Sequence, residues 1–155
     1  MPCSSQTNAV RASAGGVRPA FRPLADGAGV LTLADDRFKT ARLTAALLLP
    51  LDPALASENA VLPYLLQRCC AEYPGFSALK QRLNELYGAR IAADVSRIGE
   101  CQALTLTAVS MDDRFALHGE AVAAACADLL RSMLFDPAST KDKTVSLSKI
   151  GGTDL

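Results

Sequence analysis

The chain has 155 residues, of which half are hydrophobic and 21% are charged, a composition that suits one domain with a real core. Its 16 basic residues balance its 16 acidic ones, so no overall field attracts nucleic acid or anionic lipid. The longest apolar run, around residues 45–49, is far shorter than the ~18 residues of a membrane span. These properties argue against nucleic-acid and membrane partners.

The five cysteines predict reduced thiols and not a disulfide framework. Their number is odd, and the chain contains no Cys-x-x-Cys pair. Cys69 and Cys70 are adjacent, so on a helix their side chains point ~100° apart and suit neither one disulfide nor an easily shared metal ion. We therefore expect buried free thiols, as in a cytoplasmic protein.

Residues 1–29 predict a disordered or loosely attached segment. Ala, Ser, Gly, Pro and Arg dominate it, and no acidic residue precedes Asp26. Its arginines and serines resemble an organelle transit peptide only faintly, because prolines interrupt the amphipathic spacing, and no apolar stretch indicates a secretory signal. We expect the folded domain to occupy residues 30–137.

Two apolar segments, residues 30–33 and 40–50, predict a first β-hairpin. Polar residues 35–37 separate them and suit a turn. The sequence Ala-Ala-Leu-Leu-Leu at residues 45–49 is apolar enough for a strand that is buried on both faces. Pro50 ends this second strand.

Two helix patterns follow. Ser57 is a plausible N-cap for the first, with an apolar stripe behind it. Because Pro63 removes a hydrogen bond from the helix interior, the helix is either kinked there or begins near Leu62. The second pattern covers residues 77–87, with a serine as its N-cap and Gly88 in the left-handed position after its end.

The remaining segments complete an α+β pattern. Alternating apolar residues at 90–98 and 101–110 predict a second hairpin. A third helix is predicted from the acidic pair at residues 112–113, one member of which caps it, to a Phe-Asp-Pro sequence that ends at Pro137. Residues 138–155 are a polar tail. The order ββ-αα-ββ-α predicts an antiparallel sheet with helices packed on one face.

Few residues suggest chemistry by themselves. His118, the sole histidine of the sequence, is a candidate general base with Glu120 as its orienting partner. Residues two apart on a helix do not face each other, so a solvated histidine near a helix start is the better interpretation. The pair Asp112 and Asp113 could bind a hard cation, but adjacent acids before a helix usually cap it. The sequence contains no recognisable serine triad or phosphate loop motif.

Several short segments in a fixed order carry the strongest signal in the chain. They are DRFKT at 36–40, LPYLLQR at 62–68, YPGF at 73–76, LNELYGA at 83–89, VSRIGE at 95–100 and MLFDP at 133–137. In order and spacing, these segments resemble an insulinase-type (M16, pitrilysin) peptidase domain over about residues 30–137. In detail they are most similar to a bacterial branch of non-peptidase subunits, which occur beside an active insulinase-type partner.

The resemblance implies a degenerate zinc site. Active members of the family carry H-x-x-E-H on the first helix, where two histidines bind zinc and the glutamate activates a water. Matched residue by residue, the first histidine falls on Ala60, the glutamate on Pro63 and the second histidine on Tyr64. The further glutamate ligand is also missing, because no glutamate follows Glu120. The resemblance therefore implies that this chain has no catalytic residue, no metal ligand and no cofactor.

The resemblance further implies a catalytically inactive subunit that works in a heterodimer. Its partner would be an active insulinase-type zinc peptidase subunit, and the complex would process a peptide substrate in the cytoplasm. Subunits of this family contain two such domains in tandem, so the sequence is expected to be a fragment with an incomplete first domain.

Two alternatives are open. One is a zinc metallopeptidase with non-standard ligands such as Cys69, Cys70, His118 and Asp136, although their spacing in the sequence argues against it. The other is a generic α+β protein-interaction domain whose resemblance is accidental. A fold without the order ββ-αα-ββ-α would favour the second alternative.

Overall fold

The structure, a computed structural model, describes residues 19–137 as three strands, two helices, two strands and a third helix. This order confirms the α+β class and adds one strand before the predicted series. Among these residues no helix is both long and apolar enough to cross a membrane. The bounds are β1 Pro19–Ala25, β2 Ala28–Leu33, β3 Thr40–Pro50, α1 Ala56–Leu66, α2 Phe76–Glu85, β4 Arg90–Ile98, β5 Cys101–Met111, a 3₁₀ turn Asp113–Phe115 and α3 Val122–Phe135.

Strand β5 is the centre of the main sheet, whose strand order is β3-β5-β4. It pairs antiparallel with both neighbours, so that Leu104 lies opposite Leu47 of β3 and Val95 of β4. Gly99 adopts a positive φ of 60° in the turn between β4 and β5. The pairing of these two strands confirms the second predicted hairpin.

The first predicted hairpin is wrong. Strand β2 pairs with β1, whereas β3 pairs with β5 along its full length. The expected burial of β3 on both faces is wrong as well, because Leu47 and Leu48 are 44% and 60% exposed. Strand β3 lies at an edge of the described sheet. An apolar run therefore did not identify a central strand here.

Strand β1 lies within the segment whose composition predicts disorder. It pairs with β2 from Pro19 opposite Leu33 onward, around a turn in which Gly27 has a φ of 73°. Nearly all side chains of this two-stranded sheet are exposed, so backbone hydrogen bonds order it without an apolar face that composition could signal. Residues 1–18 and 138–155 lie outside the described part of the chain, and the predicted domain boundaries stay predictions.

The core lies between the sheet and helices α2 and α3. The apolar stripe of α3 faces the sheet, as its helical spacing predicts, and α2 adds two leucines. Burial of this kind is the main favourable contribution to folding. The central side chains, none more than 1% exposed, are Cys70, Leu79, Leu106, Ala108, Val122, Cys126 and Met133.

The first two helices begin without side-chain caps. Helix α1 begins at Ala56, so Ser57 lies inside it and is not its N-cap. Helix α2 begins at Phe76, so the prediction of Ser77 as a cap is wrong in the same way. Pro63 lies in the interior of α1, so the alternative helix start near Leu62 is wrong. The helix accommodates this proline because only one backbone N–H is missing and the flanking turns keep their hydrogen bonds.

The acidic pair before α3 accepts backbone hydrogen bonds from two different elements. Asp112 Oδ1 accepts a hydrogen bond from the Arg114 backbone N–H at 2.9 Å and begins the 3₁₀ turn. Asp113 Oδ1 accepts from the Ala123 N–H at 2.8 Å, in the first turn of α3. The prediction that one of the pair is the N-cap of the third helix is wrong, because α3 begins only at Val122, after the 3₁₀ turn and a loop, and its N-cap is Ala121. Asp113 still accepts one N–H of the first turn from a distance in sequence.

The cysteines differ from the expectation at one position. Cys69, Cys70 and Cys126 are free, and burial raises the pKa of the Cys126 thiol. Cys101, at the start of β5, is disulfide-bonded, so the expectation of reduced thiols is wrong there. An odd number of cysteines argues against a framework of several bridges, but it leaves room for one.

We expect Leu106→Ala to lower the free energy of unfolding by about 2–5 kcal/mol, because the leucine is 1% exposed in the centre of the core and its loss leaves a cavity. Urea titration measures the change. Leu117→Ala is the matched control, since that side chain is 80% exposed and should change stability by less than about 0.5 kcal/mol. Equal effects of the two substitutions would contradict the position of the core.

Candidate functional site

The positions of the expected zinc ligands lie inside α1 but do not share one environment. Ala60 is half-buried, Pro63 is buried and Tyr64 is 45% exposed. Ala60 and Tyr64 are one turn apart and therefore lie on one face of the helix. Pro63 instead borders a small apolar crevice over β5, together with Leu104 and Leu106. The position of the expected general base is thus turned toward the sheet.

Two glutamine side chains fix the ends of α1 on the sheet. Gln102 of β5 is 5% exposed, and its Nε2 donates to the Ala56 carbonyl oxygen at 2.9 Å. At the other end, Gln67 Oε1 accepts the Ala93 backbone N–H of β4 at 3.2 Å. A buried bond of this kind stabilises the fold because an unpaired group would lose its hydration. The place of α1 is therefore set by contacts that need no metal.

The residues of α1 do not fit a zinc ion. Zinc sites in peptidases take three protein ligands with nitrogen, oxygen or sulfur donors. Ala60 offers a methyl group, Pro63 a ring without a donor, and Tyr64 a phenol, which is a poor zinc ligand while it is neutral. The carboxylate of Glu58 lies in the first turn of the helix, on an exposed position. The site therefore supports no step of zinc-dependent hydrolysis.

The non-standard donors do not converge either. Cys69 and Cys70 are adjacent, and the second is fully buried in the core. His118 is exposed, and the carboxylate of Asp136 lies 3.8 Å from Arg131. Among the described residues, no three side chains of His, Cys, Asp and Glu form a group that could hold a metal ion. The proposed ligand set is thus not brought together.

Glu120 is bonded to Tyr87 and not to the imidazole of His118. Tyr87 Oη donates to Glu120 Oε2 at 2.8 Å and accepts the Leu117 N–H at 3.1 Å, while the His118 backbone N–H donates to the same carboxylate at 3.2 Å. The bond to Glu120 raises the pKa of Tyr87, and the same bond lowers the pKa of Glu120. His118 lies in the loop before α3 and not on it as expected, and the network orders this loop.

The acidic pair is not a cation site, because Arg114 occupies the first carboxylate. Its Nε donates to Asp112 Oδ1 at 3.0 Å and its Nη2 to Asp112 Oδ2 at 3.2 Å. The guanidinium lowers the pKa of Asp112 by these bonds. Nη2 also donates to the Phe38 carbonyl oxygen at 3.2 Å, which ties the 3₁₀ turn to the segment before β3. The role of this cluster is structural.

A groove of about 450 Å³ opens between α1, α2 and the start of β4. Phe76 is 50% exposed at its rim, with Arg68 and Lys80 over the ring at 5.9 and 5.3 Å from its centre. The sequence reasoning missed this groove, and the one local signal is the spacing of Phe76 and Lys80 by one helical turn. The residues that line the groove include Tyr64, Gln67, Arg68, Phe76, Lys80 and Ile91.

Strand β4 is an edge strand of the described sheet, next to this groove. Its inner edge pairs with β5, and the N–H of Ala93 is bonded to Gln67. The side-chain amide oxygen of Gln67 thus occupies the place that a carbonyl oxygen of a neighbouring strand would take. Ile91 of the same strand lines the groove. Edge and groove therefore form one continuous surface.

No family model matches the chain. Over 107 residues it is 28% identical to a protein named "Probable inactive metalloprotease YmfF" from Bacillus subtilis (strain 168), in an alignment that covers 69% of this chain and 25% of that protein. A crystal structure of a conserved protein from Enterococcus faecalis V583 matches with a TM-score of 0.72 and 25% identity, over 77% of this chain and 28% of that one. The chain thus spans roughly a quarter of either relative. The comparisons support a peptidase-like homologue with an α+β fold.

We expect Gln67→Ala to speed hydrogen exchange of the Ala93 amide by about fivefold, the scale of one lost hydrogen bond of ~1 kcal/mol. The substitution removes the oxygen that accepts this N–H at 3.2 Å. Amide exchange followed by NMR gives the rate. Gln67→Glu is the control, because it keeps an acceptor of the same length and should leave the exchange slow. Unchanged exchange in the alanine variant would show that the edge is not held by Gln67.

Proposed function

We propose that the chain is part of a catalytically inactive homologue of insulinase-type zinc peptidases, which partners an active subunit in peptide processing. One observation carries the proposal: α1 is held in place on the sheet while its ligand positions are Ala60, Pro63 and Tyr64. The similarity to a protein named as a probable inactive metalloprotease supports it.

The surroundings of Pro63 are unsuited to general-base chemistry. A general base acts on a proton within hydrogen-bond reach, here that of a water. Pro63 is buried beside a crevice whose lining includes leucines of both α1 and the sheet. An apolar ring in an apolar crevice stabilises the contact of α1 with β5, and it leaves no place for a reacting water. The helix has become a scaffold element.

The surface beside α1 is suited to bind an extended peptide. An exposed sheet edge takes a peptide as an added strand, through main-chain hydrogen bonds that do not depend on a metal. Strand β4 supplies such an edge on either side of Ala93, whose N–H is already bonded to Gln67, and the groove next to it supplies apolar contacts from Tyr64 and Ile91. In this proposal the subunit positions a peptide that the active partner cleaves.

Exposed apolar side chains supply further surface for a protein partner. Phe21, Leu31 and Leu33 of the two-stranded sheet are 62%, 60% and 63% exposed. Grouped apolar exposure of this kind is typical of protein–protein contacts. We propose this sheet as part of the contact with other protein surfaces in the full complex.

Mixing the protein with an insulinase-type peptidase that carries an intact H-x-x-E-H tests the proposal. We expect the two to co-purify, and the mixture to cleave a labelled peptide faster than the active subunit alone. The present protein alone should leave the peptide intact, because its helix lacks every ligand. The control replaces the glutamate of the active partner by glutamine, which should abolish cleavage without dissociating the complex. Peptide cleavage by the present protein alone, or no complex, would contradict the proposal.

A further inference from the structure

Two cations of the groove share one aromatic ring. Arg68 follows α1, Lys80 belongs to α2, and both side chains are exposed. Their charged groups lie 5.9 and 5.3 Å from the centre of the Phe76 ring. The ring attracts each cation and helps to hold both beside the part of the groove that Phe76 lines. Both charges line the same groove, so an anion that enters it would be attracted by both.

No carboxylate of the described chain neutralises this part of the groove. The residues that line it include neither Asp nor Glu, and no ion pair within residues 19–137 involves Arg68 or Lys80. Arg82, also on α2, is paired with Glu85 at 3.3 Å. Because the whole chain has no net formal charge, the positive groove is a local feature and not a consequence of composition.

The part of the groove that carries Arg68 and Lys80 lies beside the outer edge of β4. Gln67 and Ile91 line the groove, and the first of them is bonded to Ala93 on that edge. Side chains of an added strand point alternately to its two sides, so a peptide on this edge directs some of them toward the helices. A free anion would use the cations alone, whereas a peptide uses the cations, the apolar wall and the edge together.

We infer that the groove between α1 and α2 receives an acidic side chain, so that the bound peptide carries Asp or Glu next to the segment that pairs with β4. The guanidinium of Arg68 can bond a carboxylate with two parallel N–H groups, and Lys80 adds a point charge. This inference depends on the proposed peptide binding and names the class of peptide.

Fluorescence anisotropy with two short labelled peptides tests the inference. One peptide has a pair of central glutamates, and the other has glutamines in their place. We expect the acidic peptide to bind the native chain more tightly, and Arg68→Gln with Lys80→Gln to weaken its binding roughly tenfold, the scale of two accessible charge pairs. Lys39→Gln with Arg42→Gln is the matched control, because it removes the same charge from β3 and the residue before it, and should change little.

The outcomes separate the inference from the proposed function. Equal binding of both peptides would overturn the acidic class while peptide binding stands, and binding of neither would overturn both. An equal loss in the control variant would show that net charge alone attracts the peptide and would overturn the groove as the site. Complete displacement of the acidic peptide by equimolar inorganic phosphate would identify a small-anion site and overturn the assignment of a peptide.

Discussion

Strand β5 pairs with β3 along one edge and with β4 along the other, and its helix-facing side carries Leu104, Leu106 and Ala108. Helix α1 lies over the first two of these residues, and the core formed with α2 and α3 surrounds the last two. Gln102 of the same strand bonds the first residue of α1. The helix, the groove and the outer edge of β4 therefore depend on one buried strand.

Gln102 of β5 and the crevice beside Pro63 hold α1 on the sheet through contacts that include no metal ligand. At Pro63, where the resemblance expects a carboxylate, an apolar ring packs toward the sheet. Tyr64, one position on, is half-exposed and lines the groove. Fold and activity are separable in this way because function resides in particular side chains on a scaffold.

The parts of the fold that the sequence predicts are those in which one face is apolar. The stripe of α3 and the alternation of β4 and β5 follow from their burial on the core side. Strand β1 is not predictable in this way, since its residues are exposed and its order comes from backbone pairing with β2. The partner of β3 could not be predicted either, because an apolar run does not indicate which strand lies beside it.

Only one part of the candidate site, the set of positions on α1, could be predicted from the sequence. The sequence predicts no zinc ligand at Ala60, Pro63 and Tyr64, once the resemblance supplies the register. The basic groove does not follow, because the course of the connection between α1 and α2, and not a periodic pattern, brings Arg68 close to Phe76. The same holds for Gln67, whose bond to an edge strand has no local sequence signature.

The central claim is that α1 is a scaffold without metal chemistry, and zinc titration by calorimetry tests it most directly. The native chain is predicted to bind no zinc in the groove region, and its free energy of unfolding should not change with zinc. The variant Ala60→His with Tyr64→His serves as the positive control, since two histidines one turn apart can share an ion and bound zinc at ~100 times its Kd would stabilise the fold by about 2.7 kcal/mol. One tightly bound zinc per native chain, together with peptide cleavage, would contradict the account.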